Sequence, residues 1–95
     1  DPLAGLYAAE ARRFPGAPAG GWMPEQKLTR LEALRCFTHG AAFAAHAEKR
    51  RGMIKVGYDA DLTLLGEDIL AVPAEALTKV PVTHTIVGGR VAFER

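Results

Sequence analysis

The sequence has 95 residues, 48% of them hydrophobic and 24% charged, with a formal net charge of +1. This size suits one modest domain or part of a larger one, and the composition excludes a disordered chain. The near-neutral balance gives no electrostatic footprint for nucleic acid or an acidic membrane, and the single cysteine, Cys36, excludes an internal disulfide and a cysteine-built zinc cage.

Residues 2–13 read as a helix. Asp1 can serve as N-cap, Pro2 suits the first helical position, and Leu3, Leu6 and Tyr7 form a short apolar stripe that Glu10 ends. Phe14-Pro15-Gly16 should stop it. Residues 15–24, PGAPAGGWMP, hold three prolines and three glycines around Trp22 and read as a loop. A large aromatic in such a loop either closes a pocket or pins the loop to an apolar wall, and pinning is the expectation. The chain opens on Asp1 rather than methionine, so its natural start is expected upstream.

The best local signal is Thr29-Arg30-Leu31-Glu32, a capping box. Leu31, Leu34 and Phe37 then share one helical face, and Cys36 within the same pattern reads as a buried structural thiol. Thr38-His39-Gly40 should interrupt the helix. The alanine-rich residues 41–47 read as a second helical piece, able to approach a larger body closely, and Arg51-Gly52 closes the helical half. The basic clusters Arg12-Arg13 and Lys49-Arg50-Arg51 fall at helix ends, where cations complement the macrodipole.

Residues 52–65, GMIKVGYDADLTLL, form the central signal of the second half. A short extended piece with Met53, Ile54 and Val56 runs into a turn at Gly57-Tyr58-Asp59, and a second apolar run follows at 62–65. Gly57 can take a positive φ, and Asp59 can hydrogen-bond its own backbone. Residues 73–78 suggest a short helix begun by Pro73. Residues 82–87 alternate as a strand, Gly88-Gly89 makes a two-residue hairpin turn, and 90–93 return. Helices first and strands second imply an α+β chain with three or four strands.

Little here carries chemistry by itself. His39, His46 and His84 are widely spaced and read as structural or solvent-facing. Asp59 and Asp61 could share a face of a strand as a carboxylate pair, although turn formation explains Asp59 without a ligand. There is no nucleophile elbow and no phosphate-binding loop.

The pieces DPLAGLYAAEARR, GWMPEQKLTRLEALRCFTHGAAFA, GMIKVGYDADLTLL and VTHTIVGGRVAFER, in this order, resemble the C-terminal end of a family-3 metal-dependent amidohydrolase, the YtcJ-like group. The resemblance implies an α+β fragment. Residues 1–51 would be the last helices of a TIM-barrel hydrolase, and residues 52–95 the C-terminal strands of its small composite β-sandwich.

Such enzymes use a divalent metal, zinc above all, to polarise a carbonyl and activate water for hydrolysis of a non-peptide C–N bond. The family's metal ligands and catalytic residues lie in barrel segments that match nothing here. Asp1 matches the aspartate of D-P-L and not the nearby metal-binding one. Tyr58 stands where a lysine is common in G-K-x-A-D. No catalytic, cofactor or metal residue is therefore assigned within this chain. Trp22 is the one candidate for a loop reaching the parent's substrate pocket.

The expected partners are the missing barrel and N-terminal strands of the same cytoplasmic protein, with neither nucleic acid nor membrane involved. An isolated fragment should be inactive, with an exposed sheet edge and an uncovered apolar face, and should self-associate. A competing reading is a free-standing interaction module that binds through that edge. A third, a small enzyme built on Asp59, Asp61 and a histidine, would require stoichiometric metal in the 95-residue chain.

Overall fold

The computed structural model describes residues 1–13 and 20–95. The expected stop at Phe14-Pro15-Gly16 and the first part of the loop lie outside the described residues. Helix α1 spans Pro2–Ala11. Asp1 caps it, its Oδ1 accepting from the Leu3 N–H at 3.0 Å, and Arg12 ends it in the left-handed region at φ 56°. A single 3-10 turn covers Pro24–Gln26.

Helix α2, Arg30–Arg35, begins at the expected capping box. The Glu32 N–H donates to Thr29 Oγ1 at 3.1 Å, and the Thr29 N–H donates to Glu32 Oε1 at 2.9 Å. Donation to the Glu32 carboxyl, from the Thr29 backbone first and its hydroxyl second, holds it below its ordinary value.

The interruption expected at Thr38-His39-Gly40 does not occur. Cys36–Gly40 form a π-helical turn that runs on into α3, Ala41–Ala44. The Thr38 hydroxyl donates to the Leu34 carbonyl at 2.8 Å, so the side chain supports the widened turn instead of breaking it. The alanine-rich helix is shorter than expected and ends at Ala45, with His46 in the left-handed region just beyond. Cys36 is exposed, which corrects its reading as a buried thiol.

The strands are β1 (Leu62–Leu65), β2 (Val82–Val87) and β3 (Arg90–Glu94), joined in the antiparallel order β1-β2-β3. Gly88 and Gly89 both take positive φ, 58° and 79°, as a two-residue hairpin turn needs. Register shifts mark both pairings, one between Leu64 and Leu65 and one between Thr85 and Ile86. A 3-10 helix, Ala74–Lys79, follows Pro73 where a short helix was expected.

The extended piece expected around Met53, Ile54 and Val56 is not a strand. These residues join no sheet, and Ile54 and Val56 are 92% and 100% exposed. The strand partner of β1 is β2, about twenty residues downstream.

The core is small. Leu3, Leu6 and Tyr7 of α1 pack with Ala33, Leu77 and Val80, and Leu28, Leu65, Ile69 and Val72 border them. The stripe of α1 is therefore buried as its spacing predicts. Along α2 and the π turn, by contrast, the buried residue is Ala33, while Leu31 and Phe37 of the expected apolar face stay exposed.

Arg30 ties the two halves together. It grips Glu10 through Nε at 3.0 Å and Nη2 at 3.2 Å, and its Nη1 donates to the carbonyls of Ile69 and Val72. The core thus draws on residues from both sides of position 51.

The chain exposes 6775 Å², against about 5,300 Å² for a compact monomer of its mass. Its radius of gyration, 14.6 Å, likewise exceeds the ~12 Å of a compact 95-residue domain. Among the described residues no helix is long and apolar enough to cross a membrane.

Candidate functional site

Two concave regions hold the residues that the sequence singles out. The first is a shelf formed by Ala8, Arg12, Arg13 and Trp22. The chain returns here to the end of α1 and is locked by reciprocal bonds. The Trp22 N–H donates to the Arg12 carbonyl at 2.7 Å, and Arg12 Nε donates to the Trp22 carbonyl at 3.0 Å.

Gly21 makes that return possible. At φ 73° it passes so close to Ala11 that an added Cβ would lie 2.2 Å from the carbonyl oxygen. The Arg12 guanidinium sits 5.1 Å from the indole centroid, a cation–π distance, yet the Trp22 residue remains 72% exposed. Trp22 is thus held by its backbone and by Arg12, not by an apolar wall as expected.

The second region is a groove between the helix Arg30–Ala44 and β1, lined by Leu34, Phe37, Met53, Ile54, Leu62 and Ile69 among others. Arg51, Asp59 and Asp61 also border it. Asp59 Oδ2 accepts from Arg51 Nε at 2.8 Å and lies 3.8 Å from Arg50 Nη1. The Asx turn expected at Asp59 is replaced by this ion pair. Asp59 first by hydrogen bond, then by charge, raises the Arg51 guanidinium above its ordinary value.

Asp61 Oδ1 accepts the Gly88 N–H at 2.8 Å, and the Gly89 N–H donates to the Ala60 carbonyl at 3.0 Å. The Tyr58 hydroxyl donates to the Glu48 carbonyl at 2.8 Å. The G-Y-D-A-D run is therefore a clasp. It fastens the exit of the helical half to the hairpin turn, and its carboxylates are already engaged. Sequence spacing did not reveal this role, because the Gly88 N–H that Asp61 serves lies 27 residues away.

His39, in the π turn, and His46, in the turn beyond α3, are exposed, and His84 of β2 is half-buried. Among the described residues no three His, Cys, Asp or Glu side chains cluster so as to hold a metal ion. A divalent metal centre does not fit the residues present. Asp59 and Asp61 face arginines, and no histidine joins them.

Comparison with known proteins places these features in a family. The model of the Amidohydrolase family matches residues 1–93. YtcJ of Bacillus subtilis (strain 168), named provisionally as an amidohydrolase, is 33% identical over the whole of this chain, which spans 18% of its length. An imidazolonepropionase of Kosmotoga olearia is 36% identical over 65% of this chain, corresponding to 15% of that enzyme. No solved structure gives a significant match. The chain belongs to the Amidohydrolase family and resembles its YtcJ-like members. It spans less than a fifth of the relatives that it matches.

Proposed function

We propose that this chain is the C-terminal structural segment of a metal-dependent amidohydrolase that hydrolyses non-peptide C–N bonds, and that it is inactive by itself. The observation that carries the reading is the family match across residues 1–93, combined with a chain whose carboxylates serve as clasps. In this reading residues 1–51 end the barrel and residues 52–95 complete a composite β-domain.

The remaining strands, the catalytic ligands and the divalent metal, zinc above all, come from elsewhere in the same cytoplasmic polypeptide. Hydrolytic chemistry then belongs to that parent. The present residues contribute packing, with Trp22 on its shelf the one side chain offered toward the substrate pocket. The solvent-facing indole held by two backbone-anchored bonds supports that role.

The test compares the native polypeptide with the 95-residue chain for metal content and for hydrolysis of small amides. Stoichiometric divalent metal and turnover are expected in the native polypeptide alone. Metal and turnover in the 95-residue chain would instead establish the small-enzyme reading.

The second reading, a free-standing module that binds through a sheet edge, is favoured by β3, every residue of which is exposed. Its edge also carries devices that discourage pairing, namely the register shift opposite Thr85 and Ile86 and the charges of Arg90 and Glu94. It therefore stands second.

A further inference from the structure

We draw no further inference here: the strongest candidate, the apolar groove between the helix Arg30–Ala44 and β1 with the unpaired residues 53–56 beside it, is an uncovered face of a chain that spans less than a fifth of its relatives, and nothing in the structure shows what covers it.

Discussion

Truncating Leu77 to alanine tests whether the small core is what holds the two halves together. Leu77 is 0% exposed and belongs to the cluster formed with Leu3, Leu6 and Tyr7 of α1. The change removes about three methylene equivalents, worth roughly 2.4 kcal/mol in transfer free energy at full burial. A residual cavity adds up to about 2 kcal/mol, less if the neighbours collapse into it.

The expected loss is therefore about 3 kcal/mol. That is a large share of the roughly 5–14 kcal/mol available to a domain of this length. With a urea m-value of about 1–1.5 kcal/mol/M, the midpoint should fall by roughly 2–3 M at fixed protein concentration. Val56→Ala is the control, since Val56 is fully exposed and should change stability by less than about 0.5 kcal/mol. A Leu77→Ala midpoint within error of the parent would refute the assignment of the core, as would an equal loss in the Val56 control.

The capping box gives a pH signature. The Glu32 carboxyl is lowered in the fold from its ordinary 4.5, so its contribution is fully present above that value and is lost as pH falls through the lower folded value. Thr29→Ala should cost about 1 kcal/mol in urea melts at pH 7 and flatten this acid-side loss. Arg30→Lys should destabilise by about 2 kcal/mol, because an ammonium cannot span Glu10 and the carbonyls of Ile69 and Val72 together. Thermal melts would check it, and an unchanged midpoint would deny Arg30 its tying role. At the shelf, Gly21→Ala should be far more damaging than Gly20→Ala in the same melts. Both glycines have positive φ, but only at Gly21 would the new Cβ collide with backbone.

What could be read from the sequence was what is decided locally. The Thr29 capping box, the Asp1 cap and the Gly88-Gly89 turn each depend on a few neighbouring residues, and each is found where the sequence puts it. The stripe Leu3, Leu6, Tyr7 also held, because Leu77 and Val80 lie within the chain to cover it.

Patterning failed where burial needs a partner. Leu31 and Phe37 have helical spacing and Ile54 and Val56 strand composition, but a pattern only states which side chains favour burial. Ninety-five residues supply too little apolar mass to cover them all. The helix break at Thr38-His39-Gly40 failed for another reason, since the Thr38 hydroxyl supports a π turn that residue propensities do not encode. The roles of Asp59 and Asp61 were hidden because their partners, Arg51 and the Gly88 N–H, are brought near only by the folded loop. Sequence spacing made them candidate ligands, while the fold makes them clasps.

The most direct measurement is the mass of the native polypeptide in source cells, read with an antibody against this segment. The chain covers 18% of YtcJ, so a band between about five and six times 10.2 kDa is expected for an amidohydrolase that carries it as its terminal part. A band at about 10 kDa, the mass of the chain itself, would contradict a place within a larger hydrolase.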